Sequence, residues 1–223
     1  EEIRRLRRAA EIAEMSVDAA FAIAATGVTE IDFAREFNRT TVSNDGLPVS
    51  ICIGFGERSP MSNSQVTERA LKPGDSIRFD VGGRYQHYRS DISRCGFFGE
   101  PSEKIRRYHN ALHKGVLRAH EIIRPGLAIN ELFERVMETV RAEGLPHYKR
   151  NHVGHGIGID GYDHPNIAPS ETSVLEEGMV LCIETPYYEL GLAGLQVEDM
   201  LVVTADGSET LMKTDGALRV IEP

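Results

Sequence analysis

The sequence predicts a mixed α/β protein of the α+β kind, built from two similar halves of about 1–100 and 101–223 within one domain spanning 1–223. Three observations predict this. Two amphipathic helices, EIRRLRRAAEIAEMSVDAAFAIA and KIRRYHNALHKGVLRAHEII, begin about a hundred residues apart. Each leads through a turn glycine, Gly27 or Gly126, into a second helix, VTEIDFAREF or LAINELFERV. Each half then closes in paired strands, KPGDSIRFDVGGRYQHYRSDISRCGFF and EEGMVLCIETPYYELGLAGLQVEDMLVV.

The elements follow in order. In the first helix Arg4, Arg5, Arg7 and Arg8 alternate with Glu1, Glu2, Glu11 and Glu14 at helical spacings, the pattern of a solvated face. Thr29 and Asn130 are the expected N-caps of the two second helices, which end at Gly46-Leu47 and Gly144-Leu145. After Gly74 an alternating strand runs to Asp80, turns at Gly82-Gly83 and returns through Asp91. After Gly178 a strand reaches Glu184 and returns through Glu198. The expected core takes Ile77, Phe79, Val81, Leu181, Ile183 and Val197 from strands, with Leu6, Ile12, Phe33 and Leu132 from helices.

Composition narrows the class. Apolar residues make up 41% and charged residues 26%, the balance of a soluble globular chain. No apolar run reaches the roughly eighteen residues of a membrane span, and the charged N-terminus does not read as a signal peptide. A net charge of −9 argues against nucleic-acid partners, which need Lys and Arg against phosphate. Cys52, Cys95 and Cys182 are too scattered for a disulfide framework, so reduced thiols and a cytoplasmic location are expected. Because the chain starts at Glu1 inside a helix, it is expected to be a processed product or the C-terminal part of a longer protein.

The acids carry the chemistry. Asp80 and Glu184 each lie six residues after their glycine, and the returning strands add Asp91 and Glu198. Antiparallel pairing sets such residues side by side on one face of a sheet. Carboxylates in strands as apolar as SIRFDV and LQVEDMLVV are costly to bury, and four together would repel unless cations lay between them. One imidazole, His155 of NHVGHGIGIDGYDHP, completes a set suited to Mn²⁺, Co²⁺, Fe²⁺ or Zn²⁺. Gly156, Gly158 and Gly161 also fit a dinucleotide-binding spacing, but Pro165 and Pro169 would stop the helix such a turn needs. The flanking glycines are instead read as allowing metal and substrate close to the backbone. His87, His109, His113, His120 and His147 are assigned to helix faces, strands or loops.

On FDVGG…YRSDISR, GHGIG, IETPYY and LQVEDMLVV the chain resembles the pita-bread metallopeptidases, which include methionine aminopeptidase, aminopeptidase P, prolidase and the non-peptidase creatinase. The resemblance spans essentially the whole chain. It implies a curved antiparallel sheet covered by two helix pairs with pseudo-twofold symmetry. It also implies two divalent ions, Mn²⁺ foremost, held by Asp80, Asp91, His155, Glu184 and Glu198. Glu184 would in addition shuttle a proton. A small peptide or amide substrate and a homodimer follow as family-level expectations.

The chain departs from that pattern at two positions. The family's peptidases use two further histidines; here their places are taken by Asn63 and Tyr162, with His164 able to reach the site only if its loop bulges. Asn63 can donate a hydrogen bond but cannot take up a proton or a positive charge, whereas Tyr162 could donate to an oxyanion. Three functions remain open: an Xaa-Pro-type aminopeptidase or dipeptidase, a hydrolase of a small non-peptide C–N bond, and a metal-containing binding module without activity.

Overall fold

The computed structural model describes residues 1–223. The first half runs α1 (Glu2–Ala22), α2 (Glu30–Ser43), β1 (Leu47–Phe55), β2 (Ser76–Tyr85), β3 (Tyr88–Arg89) and β4 (Ile92–Phe98). The second half runs α3 (Glu103–Ile122), α4 (Ile129–Ala142), β5 (Gly154–Gly156), β6 (Asp163–Asn166), β7 (Val180–Glu184), β8 (Tyr187–Glu189), β9 (Ala193–Leu195) and β10 (Glu198–Val203). Two short strands, β11 (Ser208–Thr210) and β12 (Arg219–Ile221), follow. The main sheet has the order β1-β2-β4-β10-β7-β5-β6, antiparallel along this path. The halves meet where β4 pairs with β10, and the result is the expected curled antiparallel sheet with four helices.

Each helix pair covers its own half. Leu6, Val17 and Phe21 of α1 and Phe33 and Phe37 of α2 bury against Ile77, Phe79 and Val81 of β2. The Phe33 ring sits edge-on to Phe55 at 4.9 Å and stacks with Phe79 at 5.7 Å. In the second half Leu112, Val116, Leu132 and Val136 pack on Leu181, Ile183, Val197 and Leu201. Each such side chain contributes about 1.5–3 kcal/mol by leaving water. All ten expected core residues are buried.

Several local expectations need correction. Thr29 caps α2 in a full capping box with Asp32, but α4 starts two residues earlier than expected, with Ala128 as its N-cap and Asn130 inside the first turn. The chain does not turn at Gly82-Gly83. β2 continues to Tyr85, and the reversal falls at Gln86 and His87, both with positive φ. Gly82 serves close strand approach instead, since a Cβ there would lie 2.2 Å from the Ser90 carbonyl oxygen.

The arginines of α1 do form solvated pairs with Glu1 and Glu11. Glu14 is different: it is buried and accepts hydrogen bonds from the amides of Lys213 and Thr214, pinning the C-terminal segment. Buried Glu30 does the same for the loop after β1, accepting from the Phe55 amide, the Thr67 amide and Arg58. No helix is long and apolar enough to cross a membrane.

Candidate metal centre

Strand register assembles the site. Cα pairing links Asp80 to Ser93, Ser93 to Glu198 and Glu198 to Glu184, so one row across β2, β4, β10 and β7 carries three of the predicted acids. The neighbouring row links Met200 to Cys182 and Cys182 to His155. Asp91 lies two residues before Ser93 and so shares its face; its amide approaches Met200 Sδ at 3.4 Å. Residues more than a hundred positions apart are thereby brought together.

Two groups of potential ligands result. Asp80, Asp91 and Glu198 place carboxylate oxygens within 4.8 Å of one another; His155, Cys182 and Glu198 do the same with nitrogen, sulfur and oxygen. Glu198 belongs to both. Burial, followed by repulsion from neighbouring acids, drives the Asp91 and Glu198 carboxyls well above their ordinary range. Asp80 is also raised by burial, with Arg78 opposing the shift. Such clustering is unfavourable without cations and favourable with them. His155 Nδ1 donates to the Gly156 carbonyl at 2.9 Å, which leaves the Nε2 lone pair free, and burial holds the ring below its usual pKa. This donor set fits divalent cations.

Glu184 stands in neither group as oriented. Its Oε1 accepts a hydrogen bond from His152 Nε2 at 2.8 Å, and its Oε2 lies 4.0 Å from Arg150. Burial raises this carboxyl, but the His152 bond and the Arg150 charge outweigh that and leave it below the ordinary value. The Tyr162 hydroxyl lies 2.8 Å from the same His152 nitrogen, and the Tyr162 ring stacks on His155 at 3.8 Å. Tyr162 therefore faces the centre.

The other two sequence candidates lie farther out. Asn63 occupies an exposed turn next to Ser62, whose carbonyl accepts from Arg78 at 2.8 Å. His164 is exposed on β6, with its carbonyl oxygen set against Gly156 of β5. The α3 histidines lie elsewhere, with His120 Nε2 3.6 Å from Asp199.

Sequence reasoning passed over His152 and Arg78. His152 precedes a glycine-broken strand, so no alternation shows its direction; its position follows from the Glu184 amide bonding to the Val153 carbonyl. Arg78 shares the face of Asp80 two residues on, which was a usable signal. Fully buried, it donates to Asp80 Oδ2 at 3.2 Å, Gln196 Oε1 at 3.1 Å and the carbonyls of Ser59, Met61 and Ser62. The glycines also do something other than expected. A Cβ on Gly154 would lie 2.1 Å from the Cys182 carbonyl oxygen, and one on Gly156 would lie 2.2 Å from that of His164. They let β7 and β6 close on β5. The segment from Gly156 to Gly161 leads into β6, not into a helix, so it is no dinucleotide turn.

Comparison with known proteins agrees with this geometry. The sequence pattern of metallopeptidase family M24 matches residues 4–205. An Xaa-Pro dipeptidase from Pyrococcus furiosus is 31% identical over 220 residues, covering 98% of this chain and 63% of the relative. Dipeptidase PepE from Mycobacterium ulcerans superposes with a TM-score of 0.95 at 26% identity, covering 100% of this chain and 60% of its own. An Xaa-Pro dipeptidase from Bacillus anthracis superposes with a TM-score of 0.93 at 29% identity, covering 99% and 62%. The chain thus spans less than two thirds of the length of these proteins.

Proposed function

Since the chain belongs to metallopeptidase family M24, we propose that it is the catalytic part of a metal-dependent peptidase that cleaves Xaa-Pro bonds in small peptides. The observation that carries this reading is the pair of ligand groups sharing Glu198, set beside a Glu184 carboxylate that already has a histidine partner. The names of the Pyrococcus and Bacillus relatives supply the substrate class.

Asp80, Asp91, His155, Glu184 and Glu198 would hold two divalent ions, with Mn²⁺ first among the cations these ligands suit. When bound, the ions supply carbonyl polarisation and a water acidic enough to attack near neutral pH. The protein's own groups do the rest. Glu184, held ionised by His152 and Arg150, takes the proton from the attacking water and delivers it to the departing nitrogen. His152 fixes the direction of that carboxylate by donating its Nε2–H to it. Tyr162 braces both histidines, stacking on one and bonding to the other. The inner faces of Arg78 and Tyr188, packed 5.2 Å apart, wall the side of the site next to Asp80.

Activity is tested with a panel of Xaa-Pro dipeptides, longer peptides with free N-termini and small amides, using chelator-stripped protein with each metal restored. Metal-dependent release of proline is the expected result. Turnover confined to non-peptide amides would replace this reading with the C–N hydrolase alternative.

A further inference from the structure

Resting on the Xaa-Pro reading above, we propose that Arg150 and Tyr148 form a subsite for the C-terminal carboxylate of a dipeptide substrate, with exposed Lys149 at its rim. The subsite selects substrates that end one residue past the scissile bond over longer or amidated peptides. It adjoins Glu184, the carboxylate assigned to proton transfer, and leaves the five metal-binding residues in their roles.

Two unpaired donors carry the proposal. The Arg150 guanidinium has a buried Nε with no acceptor, and its ion-pair contact is Glu184 Oε2 at 4.0 Å, beyond hydrogen-bond reach. Two other buried arginines are committed. Arg78 donates to Asp80, Gln196 and three carbonyls, and Arg94 holds Asp199 and the Glu198 carbonyl, each at 2.8 Å. The Tyr148 hydroxyl is likewise buried without a partner, on a side chain only 2% exposed. An unpaired buried donor is costly, and an acceptor brought by a ligand removes that cost.

Local structure holds both donors beside the centre. Arg141 Nε donates to the Tyr148 carbonyl at 3.0 Å, and the Glu184 amide donates to the Val153 carbonyl at 3.0 Å, so the segment between is fixed from α4 and from β7. Burial pushes the hydroxyls of Tyr148, Tyr162 and Tyr188 up, and the Arg150 charge opposes the shift at all three, which sets the guanidinium among them. A cavity of about 220 Å³ opens here, lined by Lys149, Arg150, Asn151 and His152 and by no acid. It is smaller than the roughly 300–1,000 Å³ of a pocket for a drug-sized ligand, so it takes the end of one residue rather than a continuing chain. The arginine fork meets both oxygens of a carboxylate, whereas an amide offers one oxygen and an NH₂ that sets donors against donors. The competing role for Arg150 is to hold Glu184 ionised. That role needs only the charge and does not tell an acid from an amide, so the two roles separate experimentally.

The test titrates the full chain, stripped by chelator so that no metal ion can hold a carboxylate, with N-acetylproline and N-acetylprolinamide, followed by ligand-observed NMR. Wild type should bind the acid about tenfold or more tightly than the amide. Arg150→Met should bring that ratio to about one, Arg150→Lys should keep part of it, and Lys149→Met should change it by less than about twofold. Wild type that binds the two probes alike, or binds neither, overturns the proposal, and that measurement needs no variant to fold. A ratio kept in Arg150→Met also overturns it. With Mn²⁺ restored, alanyl-proline should be cleaved with a kcat/KM about tenfold or more above that of its amide, and Arg150→Met should erase the difference. Any loss at Glu184 is shared by both substrates and cancels in the ratio. Probes told apart by a protein that cleaves neither substrate would uphold the subsite while the peptidase reading fails.

Discussion

Replacing Asp91 with asparagine should stabilise the metal-free protein while removing most of the stabilisation a divalent cation brings. An Asp91 oxygen lies within 4.8 Å of one from Asp80 and one from Glu198. Two unit charges at that separation repel by about 3.5 kcal/mol at an effective dielectric constant of about 20. Protonation relieves part of this, because burial and mutual repulsion raise the Asp91 and Glu198 carboxyls above their ordinary 3.8 and 4.5 in the fold.

The sign follows from linkage. Both groups bind protons more tightly folded than unfolded, so their contribution is fully present below those ordinary values and is lost as pH rises through the raised ones. Glu184, with its lowered value, works the other way: its contribution is present above 4.5 and lost in acid. Asparagine removes one of the repelling charges, so its benefit grows with pH. At neutral pH we expect about 1–3 kcal/mol, or about 2–10 °C in Tm for a chain of this size.

Scanning calorimetry on chelator-stripped wild type and variant, at about pH 5 and about pH 8, measures this. Mn²⁺ at about a hundred times its Kd should add about 2.7 kcal/mol to wild type and little to the variant. A metal-free variant less stable than wild type at pH near 8, or equal stabilisation of both proteins by Mn²⁺, would refute the electrostatic reasoning.

Three further outcomes are expected. Glu198→Ala should lose bound metal and activity together, because Glu198 belongs to both ligand groups; unchanged metal content by elemental analysis would count against the assignment. His152→Ala should keep its metal but lower kcat by about 10²–10⁴ if it directs the proton-transfer carboxylate, while Tyr162→Phe, losing about one hydrogen bond, should cost about fivefold. A KM effect alone in His152→Ala would assign that residue to substrate binding instead. Gly154→Ala drives a Cβ against the Cys182 carbonyl and should cost about 1–3 kcal/mol, with weaker metal binding because β5 carries His155. A Tm and metal affinity equal to wild type would show that β5 has room to move.

Much of the fold was legible because its elements are local patterns repeated twice. Helical periodicity, the Thr29 cap and the strand alternation around Phe79 and Ile183 each report on neighbours a few residues away. Legibility failed where one residue's role depends on a distant partner. Glu14 has the same spacing as the solvated acids of α1, yet it turns inward because the amides of Lys213 and Thr214 need an acceptor. Gly82-Gly83 looks like a turn, but both residues stay in β2, and Gly82 needs to be a glycine because a Cβ there would strike the Ser90 carbonyl oxygen of the returning chain.

By itself the sequence determined the fold class and the buried faces, and it singled out five residues as candidates for a metal centre. Those follow from side-chain chemistry and from periods of two and 3.6 residues. Only the tertiary structure decided which of those groups face one another. Register across β4, β10, β7 and β5 brought Glu198 into both ligand groups, turned Glu184 to His152 and set Cys182 beside His155. Strand register is a property of pairs of segments, and no single segment carries it.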